Sequence, residues 1–179
     1  MRSGWIRIYA AAAGIFLAGT ACVIPPDIEP PPVVNNGPVI SRDMVDPLGP
    51  FVDIQASQCE SRLFSVPSVI EIDLTDTIYY RWFADYENYR DQKLLSMFNP
   101  GRVPPVTAGG ESRAIPTLDL DLKTNFAFIN ASKGTLHTLE LVVADRPFID
   151  DPNPKTVQAG GKTDSYLWVL RPQQDCRER

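Results

Sequence analysis

Apolar and polar residues alternate in short stretches along the chain from residue 51 onwards, which is the pattern of β-strands with one buried and one solvated face. The clearest apolar rows are Ile70, Ile72 and Leu74; Leu118, Leu120 and Leu122; Leu139, Leu141 and Val143; and Tyr166, Trp168 and Leu170. Further strands are predicted at residues 51–55, 78–83 and 125–129, while residues 87–98 fit either a strand or a short helix. Glycine-containing turns at residues 99–101, 108–110, 132–134 and 159–161 separate these stretches. About seven short strands with this spacing predict an all-β fold, a single antiparallel β-sandwich.

The start of the chain predicts an export signal. Arg2 and Arg7 precede an uncharged run of 14 residues (8–21), which is shorter than the roughly 20 residues that a membrane-spanning helix needs. Residues 1–21 are therefore expected to be a signal peptide that is removed from the mature protein.

The end of this signal carries a more specific pattern. Gly19, Thr20, Ala21 and Cys22 resemble the lipobox of bacterial lipoproteins, although that family usually has leucine where this chain has Gly19. The resemblance implies that Cys22 is lipidated and anchors the protein in a membrane, and Val23 after it implies the outer membrane, on its periplasmic or surface face. An ordinary secretory signal cut after Ala21 is the alternative, because Gly19 and Ala21 also satisfy the small-x-small rule.

Residues 22–50 are predicted to form a linker. Eight prolines and no aromatic residue fall between positions 23 and 50, so this segment buries too little apolar surface to offset its ordering entropy. The chain thus divides into a signal peptide (1–21), a lipidated cysteine with a disordered proline-rich linker (22–50) and one domain (51–179). The 129 residues of that domain suffice for a single core.

The charge balance excludes one class of partner. The chain has 17 lysine and arginine residues against 22 aspartate and glutamate residues, a net charge of −5, and no run of basic residues. Such a chain has no electrostatic reason to bind nucleic acid. The oligomeric state is not determined by the sequence.

Two stretches resemble immunoglobulin-like and PKD-like domains. Residues 80–85, around Trp82, resemble their third strand, in which a tryptophan packs between the two sheets. Residues 137–145 resemble their penultimate strand, with His137 where that family usually has tyrosine. The resemblance implies an immunoglobulin-like sandwich. The whole chain is similar to uncharacterised envelope lipoproteins of proteobacteria, which implies no particular activity.

The cysteines predict a disulfide. With Cys22 lipidated, Cys59 and Cys176 remain, 117 positions apart, and export to an oxidising compartment allows them to pair. Such a bond would join the first and last strands of the domain. The alternative is two free thiols.

The search for catalytic chemistry finds little. His137 is the one histidine of the chain, and its alternation with Leu139 predicts a partly buried residue with satisfied hydrogen bonds. No nucleophile elbow, phosphate-binding glycine loop or Cys-x-x-Cys motif is present, and the acids at 71, 73, 119 and 121 are predicted to form a solvated sheet face. We therefore expect no enzyme activity, no catalytic residues, no cofactor and no metal. An alternative left open is a calcium site in the loop with Asp145, Asp150, Asp151 and Asp164.

Four aromatic residues around the third strand are the candidate partner surface. If Trp82 faces the core, Tyr79 and Phe83 lie on the opposite face, near Tyr86 and Tyr89. The alternative is that the proline-rich residues 103–108 cover them. The function expected from these observations is a lipid-anchored, non-enzymatic envelope protein that binds or scaffolds another envelope protein. Two alternatives are an accessory subunit of an envelope complex and, with less support, a cell-wall glycan hydrolase.

Overall fold

The computed structural model describes residues 34–86, 97–106, 110–123, 133–149 and 153–176, with the side chains of residues 97–99 left aside. Within these ranges the secondary structure consists of eight strands and one short 3-10 helix at Ala56–Gln58. The strands are β1 (Val39–Ile40), β2 (Phe51–Ile54), β3 (Arg62–Ile70), β4 (Ile78–Ala84), β5 (Met97–Val103), β6 (Ser112–Leu120), β7 (His137–Ala144) and β8 (Thr163–Pro172). None of the described residues form a helix that is long and apolar enough to cross a membrane.

The strands form two sheets, which confirms the predicted all-β sandwich. One sheet has the order β1-β3-β6 and the other the order β2-β8-β7-β4-β5. Every pair is antiparallel except β2 and β8, which run parallel from Phe51 opposite Val169 to Ile54 opposite Pro172. The predicted antiparallel arrangement therefore holds for every strand pair of the described residues except this one. The chain passes from the three-stranded sheet to the five-stranded sheet between β1 and β2, and β2 then lies beside the last strand, β8.

Large aromatic side chains fill the space between the sheets. Trp82 on β4 and Trp168 on β8 are fully buried and stack with ring centroids 5.8 Å apart. Phe64, from β3 of the other sheet, packs edge-on against Trp168 at 5.4 Å. The core position predicted for Trp82 is thus confirmed. The apolar rows predicted on β6, β7 and β8 are also buried.

The domain begins before residue 51. Residues 34–50, assigned to the linker by their prolines, belong to the compact unit Val34–Arg179. Ile40 and Val45 are buried in the core, and the Trp168 indole N–H donates a hydrogen bond of 2.9 Å to the Pro47 carbonyl. The free energy gained from this burial and this hydrogen bond offsets the ordering entropy of the segment, which the proline-rich composition was expected to leave uncompensated. The predicted signal peptide (residues 1–21) and residues 22–33 lie outside the described residues.

The predicted row of Ile70, Ile72 and Leu74 does not face the core. Those side chains are 37%, 57% and 41% exposed, whereas Glu71 between them is fully buried. The reason is that β3 contains two register shifts and ends at Ile70, so its inward residues are displaced from a simple alternation. Glu71 therefore does not belong to the solvated carboxylate face that the sequence predicted. Asp119, predicted for the same face, is exposed as expected.

A second difference concerns residues 99–101, which were predicted to form a turn and instead lie within β5. Gly101 pairs with Tyr80 of β4, and a Cβ atom at this position would overlap the Tyr80 ring. Pro100 is tolerated because β5 is the edge strand of its sheet. Gly134 and Gly160 do lie in turns, with φ angles of 83° and 80°.

Several sequence predictions fall on residues outside the described ranges. These include the strand at 125–129, most of the ambiguous segment 87–98, and part of the turn at 108–110. At the end of the ambiguous segment, β5 begins at Met97, so its last two residues belong to a strand.

The predicted disulfide between Cys59 and Cys176 is present, with the two Cα atoms 5.3 Å apart. Cys59 follows the 3-10 helix after β2, and Cys176 follows β8. Because β2 and β8 are hydrogen-bonded neighbours, the bond closes this pair of strands at one end. It also closes a loop of 117 positions in the unfolded chain.

Removing the disulfide should destabilise the domain by about 2–5 kcal/mol, because the unfolded chain loses a long covalent loop. Urea denaturation of the wild type with and without reductant measures this loss. In the Cys59→Ser/Cys176→Ser variant, reductant should change nothing. If reductant does not change the denaturation midpoint of the wild type, the disulfide has no stabilising role.

Glu71→Gln should stabilise the domain at neutral pH. Burial, followed by the charges of Asp73 and Asp145, raises the pKa of Glu71, so its ionised form disfavours the folded state. Its Oε1 atom accepts a hydrogen bond from the Asp73 amide, which glutamine can keep. Stability from this site is therefore highest where Glu71 is protonated, and it falls as pH rises from the ordinary glutamate range through the raised pKa.

The measurement is the difference in melting temperature between variant and wild type at pH 7.5 and at pH 4. We expect a gain at pH 7.5 that becomes much smaller at pH 4, which lies below the ordinary glutamate pKa of 4.5, so that Glu71 is mostly protonated in both states. The exposed Glu111, substituted in the same way, is the matched control and should show no such pH-dependent gain. A Glu71→Gln variant that is less stable at pH 7.5 would refute the electrostatic argument.

Candidate functional site

The outer face of the five-stranded sheet carries a cleft of about 400 Å³, within the usual range of small-ligand sites. Outward residues of β4, β7 and β8 form its floor. The connection between β7 and β8, residues 145–162, forms one wall and is called here the β7–β8 arm. Its described parts are residues 145–149 and 153–162.

The floor follows from strand register. Phe83 of β4 lies opposite Glu140 of β7, and Glu140 lies opposite Leu167 of β8. Residues that face each other across neighbouring strands project from the same side of the sheet, so these three side chains form one row. Thr138 and Ser165 border the row with hydroxyl groups.

The β7–β8 arm is fixed against β4 by polar and cation–π contacts. It folds back on itself through a bridge between Phe148 and Val157. The Arg81 guanidinium lies 4.7 Å from the centre of the Phe148 ring and donates a hydrogen bond of 2.9 Å to the Pro154 carbonyl. The arm is thereby placed over the outer face of β4.

The arm carries Lys155 into the cleft. Its ammonium group lies 2.5 Å from Glu140 Oε2, and 5.3 Å and 4.5 Å from the ring centres of Phe83 and Tyr86. The two rings meet edge-on, with centroids 5.3 Å apart. We call Phe83, Tyr86 and Glu140 the ammonium cage. A partly desolvated cation gains from both the ring faces and the carboxylate.

The turn after β4 presents Tyr86 to the cage. Asp85 has a φ of 46° and is buried, and its carboxylate accepts a hydrogen bond of 2.6 Å from the Thr138 amide. The same carboxylate lies 2.6 Å from His137 Nδ1. At its other end, the Tyr86 hydroxyl donates to Asn153 Oδ1 at 3.0 Å. Tyr86 is thus held between the Asp85 turn and the β7–β8 arm.

His137 is a buried residue with partners, as predicted. It is 6% exposed, and its Nε2 atom lies 3.1 Å from Thr135 Oγ1 while Nδ1 faces Asp85. The order hydroxyl, imidazole, carboxylate is that of a hydrolase triad. Here the imidazole is enclosed, and in the described structure the Asp85 carboxylate also binds the Thr138 amide, so the group stabilises the turn that carries Tyr86.

The predicted aromatic surface is only partly formed. Phe83 and Tyr86 are brought together, but Phe83 is 1% exposed and cannot be the exposed contact that the sequence suggested. Tyr86 and the Lys155 ammonium lie against its ring, at 5.3 Å from the ring centre in each case. The proline-rich stretch 103–108, predicted as an alternative cover, is described only up to residue 106. Tyr79 lies further along β4, opposite Ala144, and does not line the cleft. Tyr89 lies outside the described residues.

Sequence reasoning missed Glu140, Lys155 and Leu167. Glu140 and Leu167 alternate with the apolar rows predicted on the two strands, so neither was singled out as a site residue. The available signal was the length of the β7–β8 arm, since 18 residues separate Ala144 from Thr163 whereas hairpin loops usually have two to five. A connection of this length is often functional.

In the loop considered for calcium, the two aspartates that the structure describes, Asp145 and Asp164, accept hydrogen bonds from neighbouring protein groups. The Asp145 carboxylate accepts hydrogen bonds from Asn35 Nδ2 at 2.7 Å and from the Lys162 amide at 2.8 Å. Asp164 binds the Ile40 amide at 2.9 Å. These carboxylates hold the segment around β1. Asp150 and Asp151 lie outside the described residues, and among those described no three acidic, histidine or cysteine side chains converge as a metal site.

Asp85→Ala should destabilise the domain by about 2–5 kcal/mol, because it leaves the buried His137 ring and the Thr138 amide without their acceptor. It should also free Tyr86. Thermal unfolding measures the first effect, and the tyrosine ring signals in an NMR spectrum report the second. Asp43→Ala, at an exposed aspartate, is the control and should change neither. An Asp85→Ala variant of wild-type stability would contradict the structural role of this turn.

No family model, no curated protein and no solved structure matches this chain. The cleft and its charged groups are therefore the basis for an assignment of function.

Proposed function

We propose that this protein is a lipid-anchored cell-envelope protein whose β-sandwich binds a partner protein without catalysis. The observation that carries the proposal is the cleft on the outer face of the five-stranded sheet, which combines the apolar side chains of Phe83 and Leu167 with the ion pair between Glu140 and Lys155. Concave sites that combine apolar walls with a few placed polar groups are typical of ligand binding.

The strand order supports an immunoglobulin-like fold for this domain. In constant-type immunoglobulin sandwiches the first, second, fourth and fifth strands lie in one sheet, and the third, sixth and seventh strands lie in the other. With β2 counted as an added strand, β1, β3 and β6 are the first, second and fifth strands, and β4, β7 and β8 are the third, sixth and seventh. The fourth strand, β5, differs from that pattern because it joins the sheet of β4.

Two observations support an address in the envelope. Residues 19–22 resemble a lipobox, and Val23 after them favours the outer membrane over retention in the inner membrane. The disulfide between Cys59 and Cys176 agrees with an oxidising compartment such as the periplasm or the cell surface. The proposed protein therefore meets its partner at a membrane surface.

The charges in the cleft support binding rather than hydrolysis. Glycoside hydrolysis needs two carboxylates that face each other across the substrate. Glu140 is the one carboxylate among the described residues that line the cleft, and it is already paired with Lys155. His137 lies beneath the turn that presents Tyr86 and is not among the lining residues.

Site-specific photo-crosslinking in cells tests the proposal. A photoreactive amino acid at Leu167, which is 45% exposed beside the cage, should give a discrete crosslinked product with an envelope protein. Leu63 on β3 is the matched control, because it is 54% exposed and belongs to the other sheet. The control should give no such product. Failure of Leu167 to crosslink would count against the cleft as the binding site.

The same experiment separates the alternatives. An accessory subunit embedded in a stoichiometric complex would crosslink from both Leu167 and Leu63.

A Cys22→Ser variant tests the lipid anchor. Loss of the acylated cysteine should move the protein out of the membrane fraction and abolish the crosslinked product from Leu167. Retention of the Cys22→Ser variant in the membrane fraction would refute the lipid anchor.

A further inference from the structure

We infer that the ammonium cage is a receptor for a lysine side chain of the partner protein, and that Lys155 is an internal occupant which the incoming ammonium displaces. The inference rests on the proposed function of the cleft as a binding site. It adds the chemistry of the ligand, an alkylammonium group on a flexible apolar stem, and a built-in competitor for it.

The geometry of the cage points to this ligand. Two aromatic rings and one carboxylate surround a single ammonium group, at 4.5 Å and 5.3 Å from the ring centres and 2.5 Å from the carboxylate oxygen. Aromatic rings with a nearby acid are the means by which proteins recognise organic cations. The cage accommodates an ammonium on a methylene stem, because that is the group it already holds.

Lys155 can leave without disturbing the walls of the site. The β7–β8 arm is attached through Arg81 to the Pro154 carbonyl and the Phe148 ring, and through Tyr86 to Asn153. None of these contacts uses the Lys155 ammonium. The Lys155 side chain is 22% exposed, so it has a path to water along its own flexible stem.

Exchange of one ammonium for another carries little electrostatic cost. The Glu140 side chain is 18% exposed, so water only partly compensates its charge if its cation leaves. In the exchange Glu140 keeps a cation throughout, while Lys155 becomes hydrated. Simple departure of Lys155 is disfavoured for the same reason. The cage therefore opens to a ligand that brings its own positive charge, which makes the internal ion pair a filter for cationic groups.

The surroundings of the cage favour a lysine of a protein. Leu167 lies in the same row as Glu140 and is 45% exposed, so it offers an apolar surface to the methylene stem of an inserted side chain. The chain as a whole carries a net charge of −5, which attracts basic surfaces. A partner with an exposed lysine on a basic surface satisfies both features.

An NMR titration of the full mature protein with its disulfide intact tests the inference. The probe is Nα-acetyl-L-lysine methylamide, and the control probe is the Nα,Nε-diacetyl derivative, which has the same stem without the charge. The amide signals of Leu167 and Ser165 report binding. We compare the wild type with Lys155→Met, which removes the internal ammonium and keeps an apolar stem, and with Lys155→Met/Glu140→Gln, which also removes the carboxylate charge.

We expect saturable binding of the charged probe to the wild type and at least tenfold tighter binding to Lys155→Met. The double variant should lose this gain, and the diacetyl probe should bind none of the three proteins. Equal binding of both probes would show an apolar site and overturn the inference. Binding to Lys155→Met alone would also overturn it, because Lys155 would then be a fixed part of the wall. If Lys155→Met does not fold, the two probes on the wild type decide.

Further outcomes separate this inference from the proposed function. Binding of phosphoethanolamine without binding of the lysine probe would assign the cage to lipid headgroups and overturn the choice of a protein lysine. If Leu167 gives a crosslinked product but the charged probe does not bind, the cleft is a binding site but the cage does not recognise an ammonium group. Absence of both the crosslink and the probe signal would reject both proposals.

Discussion

The position of Trp168 is the constraint on which the rest of this domain depends. Its indole stacks on Trp82 within the five-stranded sheet, meets Phe64 of the three-stranded sheet edge-on, and donates a hydrogen bond to the Pro47 carbonyl. One side chain thus joins both sheets and the segment that crosses between them. Aromatic contacts of this kind add to the large apolar area that each ring buries. The indole bond also explains why residues before position 51 belong to the packed domain.

The same tryptophans determine the floor of the cleft. Phe83 follows Trp82 in the chain, and Leu167 precedes Trp168. Because successive residues of a strand point to opposite faces, burial of the two indoles directs Phe83 and Leu167 outward. The register of β7 then places Glu140 between them. Core packing and the candidate binding site are therefore two sides of one arrangement.

Polar residues at the two ends of the sandwich hold the connections in place. At one end, Asp85 binds His137 and the Thr138 amide, and it supports the turn that carries Tyr86. At the other, Asp145 binds Asn35 and the Lys162 amide. These carboxylates act as hydrogen-bond acceptors for buried or partly buried backbone and side-chain groups, which would otherwise cost free energy. The cleft depends on the first of these two networks.

The sequence by itself determined the class of the fold, the core position of Trp82, the pairing of Cys59 with Cys176 and the enclosed state of His137. The core position of Trp82 came from the resemblance of residues 80–85 to a strand of immunoglobulin-like domains, and the others follow from local alternation or from the count of one residue type. None of these signals requires knowledge of distant contacts. It failed at Glu71 and at residues 99–101, because register shifts in β3 and the close approach of Gly101 to Tyr80 arise between strands.

Only the tertiary structure decided the candidate site. Phe83 lies far in sequence from Glu140 and Lys155, which are themselves 15 positions apart, and each looks like an ordinary surface or strand residue when read locally. The folding back of the β7–β8 arm, held by Arg81 and Tyr86, brings them within contact distance. An ammonium cage is a property of long-range packing, because its energy comes from a charge and two ring faces that meet only after the sheets have formed.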